Sequence, residues 1–226
     1  MAETGVDAVV MVTNQLDPSR EGERVFATRM NWLLERIPES VPLGFYECPS
    51  PFRRLLSDAE FRMCLETRRF VVLKDVSCDM RIIRTRIALA ADASLSVVNA
   101  NAAIALEAIR AGSTGFCGVF TNFHPDLYAW LHRNASEDTD LLRELDSFLV
   151  LSALAENLGY PAIAKRFHRR LGTFASATCR TVTYDIAERF WGLDAILDTI
   201  ETTGQAFRKR IGRLEDAAAR AVRTED

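Results

Sequence analysis

The feature that most constrains this chain is a repeated alternation of short apolar runs with longer segments of helical period. Runs of strand length occur at 6–13, 41–47, 70–75, 95–100 and 115–120. Each of the first four is followed by a segment whose apolar residues recur every three or four positions, as in an amphipathic helix. Strands that alternate with helices in this way build parallel sheets with right-handed crossovers. Because both faces of such a sheet are covered, its strands are continuous apolar runs, as they are here.

After residue 120 the strand signal disappears and the helical period continues. Helices are predicted between the strands and after them, at 20–37, 57–67, 79–91, 102–111, 125–133, 138–157, 161–171 and 181–221, the last with interruptions near Gly192 and Gly204. Ser57 and Glu60 have the spacing of a capping box at one helix start. Gly112 has the position of a C-terminal helix stop. The fold class is therefore α/β, with a helical region at the C-terminal end.

Two architectures satisfy this pattern: an open doubly wound sheet and a (β/α) barrel. A doubly wound nucleotide-binding sheet carries a glycine-rich phosphate loop after its first strand, but the segment there reads VTNQLDPSREGE. The glycine-bearing AGSTGFCG, 111–118, leads from a helix into a strand, which is the reverse order. We interpret it as a helix-to-strand turn.

Two polar side chains mark the ends of neighbouring strands. Lys74 ends the run FVVLK and Tyr46 ends LGFY. Because side chains alternate along a strand, Lys74 is predicted to share a face with Phe70 and Val72, and Tyr46 with Gly44. Taken singly, a lysine at a strand end is most simply an amphipathic side chain reaching solvent, and a tyrosine a buried ring. Together they indicate a catalytic site, because the carboxyl ends of parallel strands are where α/β barrels carry their active sites.

The chemistry that suits a lysine beside a tyrosine is Schiff-base formation. Burial disfavours an ammonium, and a neutral lysine amine adds to a ketone or aldehyde and then loses water. A tyrosine hydroxyl with suitable hydrogen-bond partners can transfer the protons of these steps. Lys74 and Tyr46 are therefore the candidate catalytic residues.

Composition excludes several other classes of function. The net charge is −3 and the basic residues alternate with acidic ones, so we expect no nucleic-acid partner. No apolar run reaches the length of a membrane span, and Met1 is not followed by a signal core, so we expect no membrane association and a cytoplasmic location. The scattered cysteines are expected to be free thiols. The dispersed histidines, His124, His132 and His168, are expected at surface positions, and neither a metal nor a cofactor is predicted.

At these residues the sequence resembles a known family. The segments PLGFYECPSP, FVVLKDVSCD and NANAAIALEAIRAGSTGFCGVFTN are similar to the second half of the dihydrodipicolinate synthase and N-acetylneuraminate lyase family of class I aldolases, and GVDAVVMVT resembles the family's fourth strand. The resemblance spans most of residues 5–172. It implies that Lys74 is the Schiff-base lysine and Tyr46 the proton-relay tyrosine. It also implies that Ala100 and the carbonyl of Cys117 lie on the substrate side.

The resemblance also implies an architecture. Residues 1–135 would form a partial (β/α)8 TIM barrel of about five parallel βα units, corresponding to strands four to eight, and residues 136–226 a C-terminal helical region. The family's first three βα units have no counterpart in this sequence. Because five strands cannot close an eight-stranded barrel, both outer strands would be exposed edges. A start that was assigned late or a fragment explains this more simply than association that covers the edges, and a homo-oligomer is expected as well.

The resemblance implies a lyase or aldolase that acts on pyruvate or another 2-keto acid together with an aldehyde. Arg53 or Arg54 is a candidate for binding a substrate carboxylate, and Arg53 is the one assigned to it, although the simpler interpretation of the pair is a solvated loop edge. The identity of the aldehyde, and cleavage as opposed to dehydration of the product, stay open. The alternative function is a truncated or non-catalytic family member that retains only a ligand pocket.

Overall fold

The computed structural model describes the backbone of residues 5–224 and the side chains of residues 5–217. The expectation that Met1 is not followed by a signal core concerns residues that lie partly outside this range. The described chain forms two compact units, which belong to Met1–Gly118 and Val119–Asp226. The predicted boundary at 135 would group the helix Pro125–Arg133 with the sheet, whereas this helix belongs to the second unit.

The first unit contains one parallel sheet of five strands. The strands are β1 Val9–Val12, β2 Leu43–Tyr46, β3 Phe70–Asp75, β4 Ser96–Asn99 and β5 Gly115–Phe116. They pair in sequence order, β1-β2-β3-β4-β5, and every pairing is parallel. The predicted succession of βα units is therefore confirmed.

Helices connect the strands and make up the second unit. In the first unit they are α1 Glu23–Leu34, α2 Asp58–Thr67, α3 Met80–Leu89 and α4 Ala105–Arg110. In the second unit they are α5 Pro125–Arg133, α6 Asp140–Ala153, α7 Ala162–Arg170, α8 Ile186–Arg189 and α9 Leu193–Thr224. The predicted capping box is present at the start of α2, where the Ser57 hydroxyl accepts from the Glu60 backbone N–H. Gly112 follows α4 with φ +107°, a conformation that favours glycine, and confirms the predicted helix stop.

The helix-covered face of the sheet carries the main apolar core. Phe45 stacks on Phe70 with ring centroids 4.5 Å apart, and Phe26 of α1 packs on Phe45 at 5.7 Å. Phe70 therefore lies on this face with Leu73, and its predicted placement beside Val72 and Lys74 is wrong. The physical reason is a shift in the pairing between β2 and β3. Leu43 pairs with Phe70 but Gly44 pairs with Val72, so one extra residue reverses the alternation before Val72.

Gly44 lies on the other face of the sheet, where β2 approaches β3 closely. A Cβ atom at Gly44 would lie 2.5 Å from Val72 Cγ1 and 2.9 Å from the Val72 carbonyl oxygen. We expect Gly44→Ala to lower the free energy of unfolding by about 1–3 kcal/mol, because the strand backbone must move. Gly115→Ala is the matched control, since its nearest atom, Val98 Cγ1, would be 4.0 Å away. Equal stability of the two variants in urea unfolding would contradict this account.

In the second unit α9 runs without interruption past Gly204, so the predicted break there is wrong. The glycine is explained by packing: a Cβ atom at Gly204 would lie 2.7 Å from Cε1 of His124. The interruption near Gly192 is confirmed, since this residue has φ +77° directly before α9. Among the described residues no single helix is long and apolar enough to cross a membrane. One sharply bent pair, Asp140–Asn157 with Ala162–Arg170, meets that test only when both members are counted together.

Glu156 gives the second unit a pH-dependent stability. Burial raises the pKa of its carboxyl from 4.5 to about 7, although a backbone hydrogen bond at Phe120 opposes the shift. The folded chain therefore binds this proton more tightly than the unfolded chain, and the stability that the proton contributes is lost as the pH rises from about 4.5 to 7. We expect Glu156→Gln to be more stable than the parent chain at about pH 8, with the difference shrinking toward about pH 5. Urea unfolding at both pH values, with the exposed Glu215→Gln as control, measures this; a pH-independent difference would contradict it.

Candidate active site

Tyr46 and Lys74 form a contact at the carboxyl edge of the sheet. They are direct partners in the parallel register of β2 and β3, and both are half-buried. The Nζ atom of Lys74 lies 4.2 Å from the centroid of the Tyr46 ring. This is a cation–π distance, so the ring attracts the ammonium while the side chain stays partly accessible to solvent. The two residues that sequence reasoning singled out are therefore neighbours in space.

The two candidates on the substrate side lie at the same edge. The Ala100 N–H follows β4 and donates to the carbonyl of Asp75 at 3.0 Å, while the Cys117 N–H follows β5 and donates to the carbonyl of Asn99 at 2.8 Å. Ala100 is half-buried and Cys117 is exposed. Both residues thus continue the parallel ladder one step beyond the ends of β4 and β5.

The two arginines of the loop after β2 have different surroundings. Arg53 is exposed, and its Nη1 donates to the carbonyls of Val76 and Ser77, directly after β3. Arg54 lies in an ion-pair cluster with its side chain 10% exposed, and its guanidinium is 3.1 Å from Asp17 and 2.6 Å from Glu60. The predicted solvated position is therefore wrong for Arg54, because its ion pairs with the two carboxylates keep the guanidinium away from solvent. Of the pair, Arg53 is the one that can reach a ligand.

A buried asparagine and a buried aspartate hold the same loop. The side-chain amide of Asn14 donates to the carbonyls of Cys48, Ser50 and Phe52. Asp17 accepts from the backbone N–H groups of Glu21 and Gly22 as well as from Arg54. Burial acts to raise the pKa of Asp17, but these donors outweigh it and lower the pKa below its usual range. The loop is thus fixed by charged and polar groups.

A second buried cluster lies directly behind the lysine and the tyrosine. Glu47 follows Tyr46 and Asp75 follows Lys74, and both side chains point to the helix-covered face, where Arg86 of α3 lies between them. Its Nη1 donates to Glu47 at 2.9 Å and to Asp75, and its Nη2 donates to Glu47 at 2.5 Å and to the Leu56 carbonyl at 3.1 Å. We call Glu47, Arg86 and Asp75 the carboxylate–arginine network. Its three side chains are at most 1% exposed.

Backbone N–H groups and one hydroxyl complete the hydrogen bonding of the two carboxylates. Glu47 accepts from the N–H groups of Leu56 and Val76, and one oxygen of Asp75 accepts from both the N–H and the hydroxyl of Ser77. Burial raises the pKa of the Glu47 carboxyl, and the charge of Arg86 offsets part of this effect. Sequence reasoning missed the network. The signal was an arginine in the apolar stripe of α3, three residues after the fully buried Ile83.

A second missed signal is the scarcity of lysine. The chain has three lysines, Lys74, Lys165 and Lys209, among 28 lysine and arginine residues. Where the chain needs only a positive charge it almost always has arginine. A lysine at a strand end is therefore unusual for this sequence, and an amine, unlike a guanidinium, can lose its proton and act as a nucleophile.

The remaining candidates in the described chain are less suited to chemistry. An open groove of about 550 Å³ in the second unit has no ionisable residue in its lining, which is Leu151, Ser152, Leu154, Ala155, Leu158, Ala195, Ile196, Thr199 and Ile200. The expected surface position is wrong for His124, whose ring is fully buried against Phe120 and Phe167. Burial and Arg208 lower its pKa to about 4. Among the described residues no group of three His, Cys, Asp or Glu side chains could hold a metal ion.

No protein-family model and no curated protein sequence matches the chain. Solved structures do. Dihydrodipicolinate synthase from Bacteroides thetaiotaomicron is similar with a TM-score of 0.74 at 20% identity, over 89% of this chain and 68% of that one. The synthase from Thermotoga maritima gives 0.71 at 18% identity, over 89% and 67%. CdNal from Clostridium difficile, solved in complex with mannosamine, gives 0.72 at 15% identity, over 88% and 66%.

The chain spans about two thirds of the length of these proteins. The described chain has the fold of the dihydrodipicolinate synthases over that part, as five parallel βα units of a partial barrel followed by a helical region.

Proposed function

We propose that this chain belongs to the dihydrodipicolinate synthase and N-acetylneuraminate lyase family and that Lys74 forms a Schiff base with pyruvate or another 2-keto acid. The observation that carries the proposal is the pairing of Lys74 with Tyr46, with the amine nitrogen 4.2 Å from the ring centroid at the carboxyl edge of a parallel sheet. In α/β barrels this edge is where active sites occur. The fold likeness supports the same proposal independently.

The reaction begins with attack of the neutral Lys74 amine on the C2 carbonyl carbon. A carbon–nitrogen bond forms, the carbonyl oxygen takes up a proton, and loss of water then leaves an iminium ion. Loss of a proton from the neighbouring carbon gives an enamine, which adds to an aldehyde; the reverse sequence cleaves a sugar-derived 2-keto acid. Tyr46 is proposed to carry protons in these steps through its hydroxyl.

The substrate carboxylate needs a cationic partner. Arg53 is proposed for this role, because it is exposed and its Nη1 is already fixed on the carbonyls that follow β3. Its other N–H groups can donate to a carboxylate in the forked geometry that guanidinium groups favour. Ala100 and the carbonyl of Cys117 are proposed to line the substrate side, and self-association remains part of the proposal.

The proposal is tested by trapping. The protein is incubated with pyruvate, reduced with borohydride, and digested for mass spectrometry. A pyruvyl adduct on the peptide that contains Lys74, and on neither Lys165 nor Lys209, is the expected result. Folded protein without an adduct would contradict the aldolase proposal and leave the non-catalytic pocket as the better interpretation.

A further inference from the structure

The carboxylate–arginine network lies one residue behind both reacting side chains. Tyr46 and Lys74 are register partners, so the residues that follow them, Glu47 and Asp75, are neighbours on the opposite face. The Glu47 N–H continues the ladder by donating to the Lys74 carbonyl at 3.3 Å. Any movement of Glu47 or Asp75 therefore moves the backbone from which the tyrosine and the lysine project.

Arg86 fixes the two strand ends relative to each other. One guanidinium binds Glu47 with two nitrogen atoms and Asp75 with one of them, so the separation of the two carboxylates is set by a rigid planar group. The same guanidinium and Glu47 also bind the carbonyl and the N–H of Leu56, which closes the loop that carries Arg53. The network thus connects the supports of Tyr46, Lys74 and Arg53.

Stability alone does not explain why this cluster is charged. Two carboxylates and one guanidinium leave the buried cluster short of one positive charge when all three ionise, and apolar packing of similar volume often stabilises a protein as well or better. What a planar, fully hydrogen-bonded network provides is fixed geometry. Reacting groups lose about 100-fold in rate when they are displaced by about 1 Å.

We propose that Glu47, Arg86 and Asp75 are positioning residues that hold the Lys74 amine over the Tyr46 ring in the geometry required for imine formation. The inference rests on the proposed function for its catalytic meaning. The placement of the amine, however, is measurable without any substrate.

The test uses near-isosteric variants, Glu47→Gln and Asp75→Asn, with Arg84→Met as the matched control. Arg84 belongs to α3, the helix that carries Arg86, but its side chain is 60% exposed and pairs with Glu107 outside the network. Lysine amines are methylated with formaldehyde and cyanoborohydride and quantified by mass spectrometry. The exposed Lys209 is the internal reference. In both network variants we expect the Lys74 to Lys209 ratio to rise about threefold or more, because a released strand end exposes the amine. An unchanged ratio would overturn the proposal.

A variant whose first unit simply unfolds is recognised by Cys64, a thiol that is 1% exposed in the apolar core of that unit. Its alkylation by iodoacetamide, measured in the same samples, rises when this core opens and not when a single strand end is released. If that occurs, Ser77→Ala replaces the variant: it removes the 2.6 Å hydrogen bond that the hydroxyl donates to Asp75 and the 3.4 Å bond that it accepts from the Asp79 N–H, and it keeps every charge. The ratio for Lys74 should still rise, by a smaller factor, and a folded Ser77→Ala chain with the parent ratio would overturn the proposal.

The catalytic consequence is measured in the same variants with pyruvate and borohydride. We expect the maximal trapping rate at Lys74 to fall about tenfold or more, with a much smaller change in the half-saturating pyruvate concentration. A folded variant that traps at the parent rate would show a purely structural role. If the parent chain itself gives no pyruvate adduct, the proposed function fails, and the methylation ratio still decides whether the network positions the amine.

Discussion

Lys74→Arg should abolish the pyruvate adduct, with trapping reduced below detection. The substitution keeps a positive charge and a long side chain over the Tyr46 ring, so packing and charge at the strand end are largely retained. A guanidinium stays protonated in proteins and has no amine lone pair for attack on a carbonyl carbon. Arginine therefore separates the nucleophile from the cation more cleanly than alanine does.

The small number of lysines makes the complementary experiment possible. Replacing both Lys165 and Lys209 by arginine leaves Lys74 as the only lysine in the chain. The intact protein should then gain a single pyruvyl group after reduction, at a rate equal to that of the parent. An adduct that persists in Lys74→Arg, or one that disappears from the single-lysine chain, would assign the imine to another amine and refute the site.

Much of this site followed from local patterns in the sequence. Parallel strands read as continuous apolar runs, and the length of one βα unit separates Tyr46 from Lys74, so their adjacency required only that β2 and β3 pair in register. The register at their carboxyl ends is the one that the pattern predicts, Tyr46 with Lys74. Short-range periodicity is enough to place two such residues at one sheet edge.

The face of Phe70 could not be predicted in the same way. Alternation assumes an unbroken ladder, and the shift between Leu43 and Gly44 inserts one residue that no sequence pattern marks. The shift puts the Phe70 ring against Phe45 in the core, which favours it energetically. Tertiary packing therefore decided a detail that the strand period had assigned to the other face.

The carboxylate–arginine network was missed for a related reason. In the sequence Glu47 and Asp75 are simply polar residues that follow apolar runs, and Arg86 is one of several arginines in a predicted helix. Its burial depends on the crossing of α3 over the strand ends, which is a long-range property. The sequence does contain the weak signal that Arg86 lies in the stripe of Ile83 and Ala90, both buried.

Arg86→Met should lower the free energy of unfolding by about 3–5 kcal/mol. The side chains have similar length, so the change leaves little cavity. What it does leave is two carboxylates that are 0% exposed and face each other without a cation. Removing one partner from a buried ionic cluster costs far more than the net stabilisation of the cluster, because the remaining charges have lost both water and their counter-charge.

The loss should depend on pH, with a sign that the network determines. Burial raises the pKa of Glu47 even with Arg86 in place, and removal of the cation raises it further. A folded-state pKa above the unfolded value means that stability is lost as the pH rises through the folded value. The destabilisation of Arg86→Met should therefore be larger at about pH 8 than at about pH 5, as measured by urea unfolding at both pH values.

Two further variants separate this explanation from a general effect of losing an arginine. Arg84→Met removes an exposed ion pair from the same helix and should change the stability by less than about 1 kcal/mol. Adding Glu47→Gln to Arg86→Met removes one of the two unpaired carboxylates. The double variant should therefore be more stable than Arg86→Met alone, and less destabilised than the sum of the two single changes. If Arg84→Met were as destabilising as Arg86→Met, or if Glu47→Gln simply added its own cost, unpaired buried charge would not be the cause. The guanidinium would then act only by filling space between α3 and the strand ends, and a positioning role for it would lose its physical basis.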